Sequence, residues 1–93
     1  MKTIDYSASF KRDYKRESKG QHRATLNSSL LPVLTALLAD QSLGTRYRDH
    51  ELTGDWKGYR ECHIKPDLLL IYCKVDADTL RLSRLGSHSE LFG

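Results

Sequence analysis

Hydrophobic residues along this chain keep two rhythms, and the change comes near Gly44. Before it the spacing is helical. Phe10 and Tyr14 stand four apart, and Leu26, Leu30, Leu34, Leu37 and Leu38 recur at intervals of one face of a helix. Ser7 carries a hydroxyl suited to capping, so the spacing predicts a helix over Ala8–Lys19 that Gly20 ends. A longer amphipathic helix is predicted over His22–Ala39. Pro32 falls inside it. A proline in a helix interior removes a hydrogen bond and costs about 3 kcal/mol, so a kink or local break is expected there. Ser28 or Ser29 can start a fresh helix, since proline is tolerated in a first turn. Gly20 leaves little linker, which makes the two helices a hairpin.

After Gly44 the texture becomes that of strands. Tyr47–Leu52, Gly58–Ile64, Leu68–Val75 and Thr79–Leu85 are separated by Thr53-Gly54-Asp55, Lys65-Pro66-Asp67 and Asp76-Ala77-Asp78. Strands this close, joined by tight turns, form an antiparallel meander. The run Leu68–Cys73 is almost wholly apolar, as a central strand should be. Lys2–Tyr6 adds a short first strand. The expected fold is α+β, in the order β-α-α-β-β-β-β, with two N-terminal helices on one face of a twisted, mostly antiparallel sheet. At 93 residues, the chain is expected to be a single domain spanning 1–93, with no repeats.

Composition narrows the class. Apolar residues make up 39% and charged residues 29%, a globular balance. No apolar run approaches the roughly 20 residues that span a bilayer, and no apolar stretch follows Met1–Asp5 to make a signal peptide. A cytoplasmic protein is expected. The net charge is +3, but it is unevenly placed. Residues 1–48 hold nine Lys/Arg against four Asp/Glu, and residues 49–93 hold six against eight. A cationic first half suits a polyanion, and Lys11, Lys15, Arg46 and Arg48 are its candidate contacts. Cys62 and Cys73 belong to no C-x-x-C motif and read as buried free thiols.

Three of the four histidines, His50, His63 and His88, stand in the second half. Imidazole titrates closest to neutral pH, so an acid and a base working at pH 7 are most simply built from two of them. Alternation along Tyr59–Ile64 puts Cys62 and Ile64 on the core side and Glu61 and His63 on the other. Asp67, in a turn, can orient an imidazole or act as the base itself. Arg60, Arg84 and Lys57 are candidate phosphate contacts. By strict alternation Arg84 shares a face with Leu80 and Leu82, an odd place for a cation. Phe92 can stack on a base or anchor the chain end, while Trp56 and Tyr59 read as structural. His50, His63, Asp67 and His88 include zinc-ligand types, but their spacing matches no compact zinc motif, and no metal or other cofactor is expected.

The string Asp49-His50, Gly54-x-Trp56-Lys57-Gly58-Tyr59-Arg60, His63 and Asp67, with the late His88-x-x-Leu91-Phe92-Gly93, resembles the YafQ-type toxins of the RelE/ParE superfamily. The resemblance spans nearly the whole chain and is densest from Tyr47 to Tyr72. It implies a type II toxin that cuts mRNA in the ribosomal A site by metal-free acid/base catalysis. His88 would be the acid, His50, His63 or Asp67 the base, and Phe92 a stacking ring. It implies a DinJ-like, RelB-type antitoxin as partner, with operator DNA met only through that complex, and no membrane. The alternatives are a ParE-like gyrase inhibitor, which would not need three histidines, and a non-catalytic RNA-binding protein. The chain departs from the family pattern at Leu68, where a Trp often follows the Asp, and in a slightly longer Lys74–Thr79 connection.

Overall fold

The apolar run after Asp67 becomes the middle of the sheet. In the computed structural model, which describes residues 3–93, five strands form one sheet in the order β1-β5-β4-β3-β2. They are β1 (Thr3–Tyr6), β2 (His50–Glu51), β3 (Arg60–Lys65), β4 (Leu68–Asp76) and β5 (Thr79–Gly86). β1 runs parallel to β5, and the other pairs are antiparallel, as expected of the meander. Lys2 of the expected first strand lies outside the described residues.

Two helices, α1 (Ala8–Glu17) and α2 (Leu26–Leu38), cover one face of the sheet. Phe10, Leu26, Leu30, Val33 and Leu37 pack there against Cys62, Leu70, Tyr72, Leu80, Leu82 and Leu85. Ser7 caps α1 as its hydroxyl predicts: Oγ accepts from the Phe10 N–H at 2.9 Å. The same hydroxyl donates to the Ser83 carbonyl at 2.8 Å, tying the cap to β5.

β4 is apolar and buried from Leu68 to Tyr72 because both faces of that stretch are covered. Leu68, Leu70 and Tyr72 face the helices, while Leu69 and Ile71 face a second, smaller cluster with Leu91. Leu52, Trp56 and Tyr59 flank that cluster. Leu91 comes from α3 (His88–Phe92), a short helix on the face opposite α1 and α2 that the sequence pattern had not announced. Ser87 and Glu90 close a capping box: Ser87 Oγ accepts from the Glu90 N–H, and the Glu90 carboxylate accepts from the Ser87 N–H.

Three departures from expectation have a physical reason. α2 begins at Leu26 rather than His22, since residues 22–25 fold as turns and offer no leucine to the core. α2 also runs unbroken through Pro32. Its four buried apolar residues, at about 1.5–3 kcal/mol each, outweigh the roughly 3 kcal/mol of an interior proline. The second strand shrinks to His50–Glu51, because Thr45–Tyr47 coils into a 3₁₀ turn and Arg48 takes a left-handed conformation (φ 51°).

Candidate active site

The face that carries α3 is open beyond that helix, and the strand register lays functional groups across it in rows. His50 pairs with Glu61, Glu61 with Ile71, and Ile71 with Arg84. The next row runs from His63 through Leu69 to Gly86. Directly opposed residues share a face, so His50, Glu61, His63 and Arg84 stand on one surface, with His88 two residues past Gly86.

Glu61 is the centre of the group. It is buried, and its Oε1 lies 3.5 Å from His50 Nε2 and 3.8 Å from His63 Nε2. The His50 ring is also held from behind, with Nδ1 2.7 Å from the Arg48 carbonyl. That contact places a proton on Nδ1, so Nε2 of the neutral ring is a lone pair that can accept a proton, and it donates to Glu61 once the ring is protonated. Alternation had assigned Glu61 to the face of His63 but given it no role.

Arg84 reaches this surface through a break in alternation. The register of β4 and β5 shifts at Ser83, so Leu82 opposes Tyr72 while Arg84 opposes Ile71. The bulge corrects the expected grouping of Arg84 with Leu80 and Leu82: Leu85 takes the core position instead. The guanidinium then grips Asp13 of α1, Nε to Oδ2 at 2.6 Å and Nη2 to Oδ1 at 3.2 Å. Asp13 also accepts from the Leu85 N–H at 3.0 Å and from Arg16 at 3.1 Å. Burial pushes the Asp13 carboxyl up, but the Arg84 bond, the Leu85 N–H and the neighbouring arginine charges outweigh it and hold the carboxyl below its ordinary range.

Arg16 extends the link to α3. It donates to the Leu85 carbonyl at 2.8 Å and pairs with Glu90 at 3.3 Å. It passes so close to Gly86 that a Cβ there would lie 2.6 Å from Nη2, so a larger residue would push the Arg16 guanidinium aside. α3 in turn presents His88 and Phe92, exposed and one turn apart, with ring centroids 5.0 Å apart. Leu91, not Phe92, anchors this end to the core.

Several candidates lie elsewhere. Arg60 shares the helix face with Tyr72, where two bonds from its guanidinium hold Asp49, so it is not brought to the histidines. Asp67 does not meet His50 or His63; its oxygens are taken by Gln21 and His22. Arg46 lies over the Tyr47 ring and, with Lys65 and His63, lines a cavity of about 360 Å³. Lys57 is exposed at the turn before β3, and Arg48 is exposed beside His50. Lys11 and Lys15 are exposed on α1. Cys62 is buried and its thiol is pushed up to about 12, chiefly by burial; Cys73 is only half-buried. Among the described residues, no three His, Cys, Asp or Glu side chains group to hold a metal ion, and no helix is long and apolar enough to cross a membrane.

An imidazole-rich surface on this sheet, with α1 and α2 behind it, has the character of an acid–base site in a small α+β enzyme. The model of the family described as bacterial toxin of type II toxin–antitoxin system, YafQ, matches residues 2–93, and the chain belongs to that family. An Escherichia coli K12 protein described as mRNA interferase toxin YafQ is 39% identical over 95 residues, covering 100% of this chain and 98% of its own. The solved structure of the E. coli DinJ–YafQ complex is similar at a TM-score of 0.82 and 38% identity, with both chains fully covered. A structure described as a metal-bound toxin from Helicobacter pylori is similar at 0.79 and 44%, covering 99% and 100%.

Proposed function

We propose that this chain is an endoribonuclease that cuts mRNA in the A site of the translating ribosome. A DinJ-like antitoxin would hold it in check, as the E. coli complex suggests. The observation that carries the reading is the gathering of His50, Glu61, His63 and Arg84 on one open surface, with His88 just beyond it. Cleavage starts when the RNA's 2′-oxygen bonds to the adjacent phosphorus. A base takes the 2′-hydroxyl proton, the bond from phosphorus to the 5′-oxygen breaks, and an acid protonates that oxygen. The products are a 2′,3′-cyclic phosphate and a 5′-hydroxyl.

His88 is the acid in this reading, since it is exposed and carried on a seated helix. Two groups offer a base: the Glu61-bridged imidazoles of His50 and His63, and Asp67 with its partner His22. Arg84, with one edge held by Asp13, faces the phosphorane with the rest of its charge. Phe92 offers a ring for a base to stack upon, at roughly 1–3 kcal/mol.

Primer extension on mRNA bound to bacterial ribosomes tests this, with wild type beside His88→Ala. Codon-phased cuts are expected from the wild type, with a drop on the order of 10²-fold or more in the variant. Equal cutting by both would move the acid away from His88, and efficient cutting of naked RNA would refute dependence on the ribosome.

A further inference from the structure

Asp49 and Arg60 take no part in the histidine surface; they meet behind it. His50 and Glu51 make up the whole of β2, an edge strand paired only with β3. Alternation sends His50 to the open face and its two neighbours to the other. There Arg60 reaches both of them. Its Nη2 lies 3.0 Å from Asp49 Oδ2, and its Nη1 lies 3.6 Å from Glu51 Oε1. Arg60 Nε adds a bond to Asp49 at 3.2 Å. Tyr72, buried and paired with Arg60 across the sheet, donates its hydroxyl to the same carboxylate. Burial, followed by that bond, pushes the Tyr72 phenol up, so it stays a donor. Asp49, Arg60 and Tyr72 line a cavity of about 550 Å³ with Leu37 of α2, which marks them as lying on the helix side. Arg48, just before Asp49, is left-handed (φ 51°), a conformation that residues with side chains seldom take. Its carbonyl is the one that lies 2.7 Å from His50 Nδ1.

We propose that Asp49, clamped by Arg60 and Tyr72, is the positioning residue of His50. The clamp fixes the strained Arg48–Asp49 backbone, the Arg48 carbonyl holds Nδ1–H, and the ring is thereby set in one tautomer and one direction. The proposal rests on the RNA-cutting reading above, with His50 as its base. A neutral ring pinned at Nδ1 turns the lone pair of Nε2 toward the open face. As the 2′-oxygen bonds to phosphorus, its proton moves to Nε2. The bond from phosphorus to the 5′-oxygen breaks, and His88 protonates that oxygen. The imidazolium so formed has Glu61 Oε1 3.5 Å from its new N–H nitrogen. Arg60 acts in this arrangement through Asp49 and Glu51, on either side of His50, and not on phosphate.

The test compares wild type with Asp49→Ala, Asp49→Asn and Tyr72→Phe. Nitrogen NMR of the neutral His50 ring reads its tautomer, single-turnover cutting of ribosome-bound mRNA at saturating toxin reads the chemistry, and thermal melting reads the fold. The wild-type ring should carry its proton on Nδ1. In Asp49→Ala that signature should give way to a mixture of tautomers, and saturating cutting should slow by up to about 10²-fold with ribosome affinity unchanged. Asp49→Asn keeps one acceptor oxygen and should recover part of both. Tyr72→Phe keeps the buried ring and should move both the same way, by less. A clamp that only stabilises the fold would lower the melting temperature and leave the tautomer and the saturating rate as in the wild type; that result overturns the proposal. So does a wild-type ring protonated on Nε2, or a loss confined to ribosome affinity. If Asp49→Ala does not fold, Asp49→Asn and Tyr72→Phe carry the test with the same signs. A wild type that cuts nothing removes the RNA-cutting reading, whereas a cutting wild type whose His50 tautomer survives these changes removes this proposal alone.

Discussion

Asp13 shows how far a single side chain can reach in this molecule. Buried on α1, it holds Arg84 by two bonds, caps the free Leu85 N–H where β1 has ended, and meets Arg16, which reaches on to α3. Its carboxyl titrates below the ordinary range in the folded chain. The link therefore contributes fully above the ordinary carboxyl pKa of about 4 and is lost as pH falls through the lowered value. Asp13→Asn should cost about 2 kcal/mol at pH 7, less than the 3–5 of a fully buried pair because Arg84 is a quarter exposed. Urea melts at neutral and strongly acidic pH check this: the gap between wild type and variant should close in acid, and a constant gap would assign the stability elsewhere. Little of this was legible beforehand. Alternation predicted the sides of Cys62, Ile64 and His63 correctly, even though the register of β3 against β4 shifts between His63 and Lys65. It failed for Arg84, because the bulge at Ser83 answers to the path of a neighbouring strand. It was silent on His22, whose partner lies 45 positions away.

Among the elements, α3 carries the most consequence for its length. Five residues give no helical period, so hydrophobic spacing could not announce it. The signal was present in another form: Ser87 and Glu90 stand three apart, the spacing of a capping box, just before Leu91. α2 teaches the converse. Pro32 argued for a break, but local cost yields to the burial of Leu26, Leu30, Val33 and Leu37. The seat of α3 rests on Leu91 against Leu69 and Ile71. Leu91→Ala should therefore cost about 2 kcal/mol, at the low end for a buried leucine, as the site is at the rim of a small cluster. It should also slow ribosomal cutting by up to about 10²-fold through misplacement of His88, although His88 itself is unchanged. Phe92→Ala should leave the denaturation midpoint nearly in place, since its ring stays outside the core. Denaturant melts beside primer extension separate the two; a Leu91→Ala chain that cuts at the wild-type rate would mean that α3 need not be seated for His88 to work.

At the scale of the whole molecule, the exposed lysines of α1 and the histidine surface occupy different sides. The surplus cations of residues 1–48 were read as a cationic half suited to a polyanion. The structure divides it: Arg16 is spent on Asp13, Glu17 and Glu90, while Lys11 and Lys15 remain exposed on α1. The histidine surface lies on the opposite side of the sheet from α1 and α2. This separation suits a protein that binds ribosomal RNA with one side and acts on mRNA with another, and it makes the two functions separable by mutation. Changing both Lys11 and Lys15 to Ala lowers the net charge from +3 to +1. If each meets a phosphate, ribosome affinity should fall, and the slope of log affinity against log salt should flatten by roughly 0.7–0.9 for each phosphate no longer neutralised. The cutting rate at saturating toxin should stay at the wild-type level, because neither lysine lines the histidine surface. Affinity measured at several salt concentrations beside single-turnover cutting decides the matter. An unchanged salt slope would take α1 off the docking side, and a lowered saturating rate would show that the two sides are coupled through the Asp13–Arg16 link rather than independent.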